Sequence, residues 1–144
     1  MKKIIAAALL LCAVLTGCKN SSAQSLTFNV ETGDSINVKL DTSDNDYKLK
    51  AEGSHFIVKE DGEDILEGIF LTEDMYADYE EVIWEDGIIL ESDDYLFYEY
   101  DGEAGTERNI LLMVPDSDTG VIIASLEDED KVRDAFGKLS FENE

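Results

Sequence analysis

One turn carries oxygen-bearing side chains at the spacing of a calcium-binding loop. Asp41, Ser43, Asn45 and Glu52 occupy positions 1, 3, 5 and 12 of this segment, where helix-flanked calcium loops place ligands. Asp46 stands where such a loop needs glycine, and the next residues alternate as in a strand. A solvated hairpin turn is therefore the alternative, because Asp and Asn are common turn residues. We keep the four residues as candidate ligands for weak calcium binding and expect no other cofactor.

Residues for nucleophilic or metal-assisted catalysis are scarce. His55 is the only histidine, and the adjacent Ser54 would point to the opposite face of a strand, so the two cannot pair. The chain has no Gly-x-Ser-x-Gly motif. Paired carboxylates can hydrolyse glycosides, but 34 acids in 144 residues make any single pair uninformative. We expect a protein that is not an enzyme, and a carboxylate-based hydrolase is the least favoured alternative.

Aromatic and acidic residues are interleaved through the middle of the chain. Aromatic faces beside carboxylates hold cationic ligands or stack on sugars and peptides, and Tyr and Trp anchor protein interfaces. Both faces of residues 95–100 are largely apolar, so we expect Leu96 and Phe97 in the core. We predict partial exposure for Trp84, Tyr98 and Tyr100, which form a candidate interaction surface. The other members of this region are Tyr76, Tyr79 and Tyr95, with the acids Asp78, Glu80, Glu81, Glu85, Asp93, Asp94 and Glu99.

Strands of period two must position these residues. Apolar residues alternate with polar ones over the first third of the mature chain, which is typical of half-buried antiparallel strands, and further strand-like runs follow. Asp61-Gly62 favours a tight hairpin, and Pro115 opens a turn between the last two predicted strands. The predicted strands run near 26–30, 36–40, 47–51, 55–59, 65–71, 88–91, 95–100, 109–114 and 121–125.

Two segments instead have helical spacing. Thr72 can cap the first helix, and Ser125 with Asp128 has the spacing of a capping box before the second. The acidic first turns suit the helix dipole. The apolar stripes, which we expect to pack on the sheet, are Met75, Tyr79, Val82 and Ile83 in the first helix and Val132, Ala135, Phe136 and Leu139 in the second.

These elements predict an α+β fold, mainly antiparallel sheet with two short helices. An all-β sandwich or half-barrel with a C-terminal helix is the alternative. About 120 residues are enough to bury a core, so we expect a single acidic globular domain over 26–144.

The first residues have the features of an export signal and an anchor. Lys2 and Lys3 precede a short apolar run that ends at Leu15-Thr16-Gly17-Cys18. These last four residues resemble the lipobox of bacterial lipoproteins. The resemblance implies lipidation of Cys18, removal of a signal peptide over 1–17, and a place at the extracytoplasmic face of the cell membrane. Residues 18–25 are then the lipid anchor and a flexible tether. The domain that follows is similar to other small bacterial lipoproteins whose ligands are uncharacterised.

The charge of the chain restricts its partners. Eleven Lys and Arg stand against 34 Asp and Glu, for a net charge of -23. Nucleic acid is excluded as a partner because phosphate binding needs the opposite sign, and anionic headgroups should repel the domain. A basic envelope protein or a cationic ligand fits the charge. The acidity also favours a soluble monomer, which is the state we expect.

We therefore predict a lipid-anchored extracytoplasmic binding or protein-interaction module. A lipoprotein that binds calcium or a cationic small ligand is the alternative. Anchoring would make either one effective by raising its local concentration at the envelope.

Overall fold

The computed structural model describes residues 22–83 and 85–144. These residues form ten β-strands and two α-helices, so the fold class is α+β, as the sequence predicts. Cys18 and Trp84 lie outside the described residues. The elements are β1 (Ala23–Asn29), β2 (Ser35–Asp41), β3 (Tyr47–Glu52), β4 (His55–Glu60), β5 (Glu63–Leu71), α1 (Glu73–Glu81), β6 (Ile88–Glu91), β7 (Leu96–Gly102), β8 (Gly105–Met113), β9 (Gly120–Ser125), α2 (Glu129–Gly137) and β10 (Leu139–Asn143), with a single 3-10 turn at Glu85–Gly87.

The strands form two sheets in which neighbouring strands are antiparallel. The small sheet has the order β1-β2-β10, and the large sheet has the order β3-β4-β5-β9-β8-β7-β6. Strands β5 and β9 pair in the large sheet, with Leu71 opposite Gly120. This pairing joins the strands that precede α1 to the strands that follow it.

The Asp61-Gly62 hairpin is confirmed. Asp61 has φ 53° and Gly62 has φ 83°, and positive φ at both central residues is the signature of a type I′ turn. Glu60 pairs with Glu63 on either side of the turn. The turn thus fixes the pairing next to it, and the register shifts between Val58 and Lys59 further along the hairpin.

The two sheets face each other across the main core. Phe56 of the large sheet lies 6.4 Å from Phe28 and 5.7 Å from Phe141, both of the small sheet, between ring centroids. Full burial of one such side chain contributes about 1.5–3 kcal/mol. The fully buried residues of this core include Ile36, Val38, Leu40, Phe56, Val58, Leu66, Phe97, Ile110, Val114, Val121, Ile123, Val132 and Ala135.

Helix α2 packs on this core, but its N-cap differs from the predicted one. Asp128 is the cap, and its side chain accepts from the backbone N–H of Lys131 at 2.8 Å. Ser125 belongs to β9, where its hydroxyl donates to the carbonyl of Ile65 at 2.6 Å. The predicted capping box is therefore wrong, because Ser125 holds the sheet instead of the helix.

Helix α1 packs on the opposite face of the large sheet. Thr72 is its N-cap, as predicted, and accepts from the N–H of Met75 at 3.3 Å. The predicted stripe is only half right, because Met75 and Val82 are 39% and 67% exposed. The side chains that pack on Leu71, Tyr98, Leu111 and Ile122 of the sheet are Tyr76, Tyr79 and Ile83.

The small sheet has two additions to the predicted strands, an earlier start of its first strand and one further strand at the end of the chain. Strand β1 begins at Ala23, so the last residues of the predicted tether belong to the small sheet. Gln24 also accepts from the N–H of Leu49 on β3 at 2.8 Å. Leu139 is not the last residue of the α2 stripe, because it begins β10. Both additions pair with β2, which directly follows β1 but lies far from β10 in the sequence.

Candidate binding groove

A groove of about 710 Å³ opens where the two sheets and both helices meet, and we call it the acidic groove. Helix α1 contributes one side of it, and the segment from α2 into β10 contributes another. The turn between β6 and β7 and the end of β8 complete the lining. Four separate parts of the chain therefore build this site. Its residues are Tyr76, Glu80, Glu91, Ser92, Asp93, Asp94, Tyr95, Leu96, Leu112, Met113, Pro115, Phe136, Ser140 and Phe141.

Aromatic rings give the groove its apolar surface. Tyr95 meets Phe136 edge-on, with ring centroids 4.9 Å apart and an interplanar angle of 68°, a favourable aromatic geometry. Tyr76 lies over Gly120, where an added Cβ would come within 2.7 Å of its ring. Burial, and secondarily the nearby Glu80 carboxylate, raise the pKa of Tyr76. Tyr76 therefore keeps its phenolic proton and can donate a hydrogen bond at neutral pH.

Carboxylates give the groove its charge. Glu80, Glu91, Asp93 and Asp94 line it, and no lysine or arginine does so within the described part of the chain. All but Glu80 of these acids stand in or next to the exposed β6–β7 turn. An apolar surface beside unpaired carboxylates suits a ligand that has an aliphatic stem and a cationic end.

Ser92 holds the β6–β7 turn in shape. Its hydroxyl accepts from the N–H of Asp94 at 3.3 Å and from the N–H of Tyr95 at 3.2 Å. Its own N–H donates to the carbonyl of Tyr95 at 3.0 Å. These local bonds fix the backbone that carries Asp93, Asp94 and Tyr95 before a ligand arrives.

A polar network centred on Asp34 ties the β8–β9 turn to the small sheet. The Asp34 carboxylate accepts from the hydroxyl of Thr119 at 2.8 Å and from the N–H of Asp118 at 2.9 Å. These two bonds, together with those from Thr32 and Asn143, hold the pKa of Asp34 below its ordinary value. The network fixes the turn that Pro115 opens, and Pro115 lines the groove.

The predicted interaction residues do not form this groove. Tyr98 is only 7% exposed, because it packs in the cluster under α1, so its predicted exposure is wrong. Burial raises its pKa. Tyr100 is 49% exposed, as predicted, and Trp84 lies outside the described residues. The aromatic residues of this region that reach the groove are Tyr76 of α1 and Tyr95, which directly precedes β7.

The structure separates the four candidate calcium ligands. Asp41, Ser43 and Asn45 share the β2–β3 turn, where the Asp41 carboxylate accepts from the N–H of Ser43 at 2.9 Å. This bond is the main reason that the pKa of Asp41 is lowered. Glu52 is the last residue of β3, at the opposite end of that strand from the turn. The turn itself is held by Asn45, which accepts from the N–H of Tyr47 at 3.0 Å.

Two features of the described residues concern catalysis and metal binding. His55 pairs with Glu67 at 2.9 Å on an exposed part of the large sheet. Within residues 22–83 and 85–144, no group of three or more His, Cys, Asp or Glu is placed to hold a metal ion. In the same ranges, no helix is long and apolar enough to cross a membrane.

Comparisons with protein-family models, with curated proteins and with solved structures found no match to this chain. The acidic groove therefore has to be interpreted from its own geometry and charge.

Proposed function

We propose that this protein is a lipid-anchored binding module whose acidic groove takes a basic segment of an envelope protein. The observation that carries the proposal is the composition of the groove, in which four carboxylates border aromatic rings with no cation among the described lining residues. A lysine or arginine can lay its aliphatic stem on the rings and place its charge at the acidic rim. The binding energy then comes from both apolar burial and charge.

The net charge of the chain supports the same kind of partner. A charge of -23 attracts a basic surface over a distance of about 10 Å at moderate salt and speeds its association. Attachment of Cys18 to the membrane would confine the groove to the envelope. A short tether would then raise the effective concentration towards a membrane partner to about the millimolar range.

The groove is tested by titrating the purified domain with an acetylated, amidated peptide of four Lys-Val repeats. We expect binding that weakens as salt rises, because the contacts at the rim are exposed charges. The variant Asp93→Asn/Asp94→Asn should bind about threefold to thirtyfold more weakly at low salt. The peptide with Glu in place of each Lys should not bind.

A matched variant distinguishes peptide binding at the groove from attraction by the overall negative charge of the protein. Glu52→Gln/Glu103→Gln removes the same two charges from exposed positions outside the groove lining, and we expect it to change affinity by about twofold or less. Equal weakening by the two variants would overturn the groove as the binding site. Displacement of the peptide by calcium at constant ionic strength would favour a groove that binds cations, which is the alternative function.

The anchor is tested separately in cells. The protein should incorporate a fatty acid label and sediment with membranes, and Cys18→Ala should do neither. Incorporation of the label by Cys18→Ala would contradict lipidation of Cys18.

A further inference from the structure

Strand β10 ends the small sheet on the side of the acidic groove. Its partner is β2, with Leu139 opposite Leu40 and Asn143 opposite Ile36. Ser140 and Phe141 both line the groove. The outer edge of β10 therefore runs along the proposed binding site.

The direction of each backbone group on β10 follows from two bonds at its ends. Asp41 donates to the carbonyl of Lys138 at 2.8 Å, and Glu144 donates to the carbonyl of Ser35 at 2.8 Å. Backbone groups alternate in direction along an antiparallel strand. The even-numbered residues Ser140 and Glu142 therefore bond to β2, and the backbone N–H and C=O groups of Leu139, Phe141 and Asn143 point to the outer edge.

This edge has no strand partner in the described part of the chain. The large sheet ends differently. At β3, Gln24 already accepts the N–H of Leu49, and β6 has only four residues with an irregular register between Ile88 and Leu90. An open, regular edge invites another strand unless something blocks it. Edge pairing with an extended peptide is an established mode of recognition.

We propose that the basic segment binds as an added antiparallel strand on β10. This inference rests on the proposed function, since it assigns the binding mode of the same ligand. The occupant follows from charge, because four acids line the groove beside this edge. A second copy of the chain is disfavoured as the occupant, since each copy carries -23 and β10 itself contains Glu142.

The added strand also places its side chains. A residue directly opposite Phe141 forms a hydrogen-bonded pair with it and points its side chain to the same face of the small sheet. Phe141 faces the large sheet, because its ring contacts Phe56. Every second side chain of the ligand therefore enters the groove, where its stem meets Phe136 and its charge meets Asp93 and Asp94. The residues between them face solvent.

Two N-methylated forms of the Lys-Val peptide test this geometry. Methyl groups on the lysine amides block the N–H groups that would bond to β10, whereas methyl groups on the valine amides alter N–H groups that would face solvent. We expect the lysine-methylated form to bind at least about tenfold more weakly than the valine-methylated form. The two forms carry the same charge and number of methyl groups, so each controls for the other. Equal affinities would overturn strand addition.

Amide hydrogen exchange on the protein supplies a second readout. In the free protein, the amides of Phe141 and Asn143 should exchange faster than those of Ser140 and Glu142, which bond to β2. Saturation with the unmodified peptide should slow exchange at Phe141 by about tenfold or more, because this amide gains a partner. Binding that depends on Asp93 and Asp94 without protection of Phe141 would overturn strand addition and leave the proposed function standing. Absence of any peptide binding would overturn both.

Discussion

The large sheet carries an aromatic ring over a glycine on each of its two faces, and the two contacts differ in how firmly the ring is held. On the face towards the small sheet, Phe56 lies over Gly68 and is fully buried. On the face towards α1, Tyr76 lies over Gly120, is only half-buried and borders the acidic groove. A Cβ at Gly68 would come within 2.0 Å of the Phe56 ring, and one at Gly120 within 2.7 Å of the Tyr76 ring.

This difference separates the part of the molecule that fixes the fold from the part that can adjust. Phe56 is surrounded by Phe28, Phe70 and Phe141 with centroid distances of 5.0–6.4 Å among the four rings. Such close packing does not yield without cost. No residue of α1 is fully buried, so Tyr76 has room to tilt. The groove thus lies where a side chain can move without disturbing the main core.

Among the predicted variants, Gly68→Ala should cause the largest loss of stability. The new methyl group would overlap the Phe56 ring, and we expect the free energy of unfolding to fall by about 1–3 kcal/mol. Urea unfolding followed by circular dichroism gives this value.

The partner variant Phe56→Leu identifies the cause of that loss. In the Phe56→Leu background, Gly68→Ala should cost at least about 1 kcal/mol less, because the two residues face each other across β4 and β5. Additive losses would show that the ring is not what excludes the methyl group.

The variant Asp34→Asn tests how the Asp34 network ties the β8–β9 turn to the small sheet. We expect the free energy of unfolding to fall by less than for Gly68→Ala, because this network lies near the surface. The amide of asparagine cannot accept on both sides as the carboxylate does. The pKa of Asp34 is lowered in the folded protein by its bonds from Thr119 and Asp118. The stability that the Asp34 carboxylate contributes is therefore present above its unfolded pKa of 3.8. This stability is lost as the pH falls through the lower pKa of the folded protein.

Unfolding in urea at neutral pH and at several values from about pH 4 down to about pH 2 measures this linkage, because the loss falls below the unfolded pKa of 3.8. The difference in the free energy of unfolding between the wild-type protein and Asp34→Asn should shrink as the solution is made more acidic. A difference between the two proteins that stays constant down to about pH 2 would show that ionisation of Asp34 contributes nothing.

Gly120→Ala should have a weaker effect than Gly68→Ala, although its added Cβ would also lie too close to a ring. The Tyr76 ring can move towards the groove, and alanine is favoured over glycine in a strand by about 0.5–1 kcal/mol. We expect the free energy of unfolding to change by about 1 kcal/mol or less and peptide affinity to change measurably, because Tyr76 lines the groove. A loss as large as that of Gly68→Ala would mean that the α1 face is as rigid as the inter-sheet face.

The sequence predicts the strands better than the site, for a physical reason. Period two reports which residues share a face, and the turn residues Asp61 and Gly62 fix a hairpin locally. Neither signal says what covers a face. Tyr98 and Tyr100 share one face of β7, yet only Tyr98 is covered by the cluster under α1.

The groove and β10 depend on contacts between distant parts of the chain. Leu139 continues the apolar spacing of α2, which hides the start of a strand that forms only because β2 lies beside it. The alternation of Leu139 and Phe141 with polar residues is the signal that could have revealed it. The interleaved acids and aromatics near Asp93, Asp94 and Tyr95 did indicate the right region, but Phe136 joins them only through tertiary packing.

Val82→Ala has the smallest expected effect, and its contrast with the same substitution at Val132 sharpens the comparison furthest. Val82, the C-terminal cap of α1, is 67% exposed, whereas Val132 of α2 is 1% exposed. Val82→Ala should change the free energy of unfolding by no more than about 0.5 kcal/mol. Val132→Ala removes the equivalent of two buried methylene groups and should cost about 1.5 kcal/mol. A cost at Val82 equal to that at Val132 would mean that the α1 face is covered in solution, and the adjustable side of the groove would then have to be sought elsewhere.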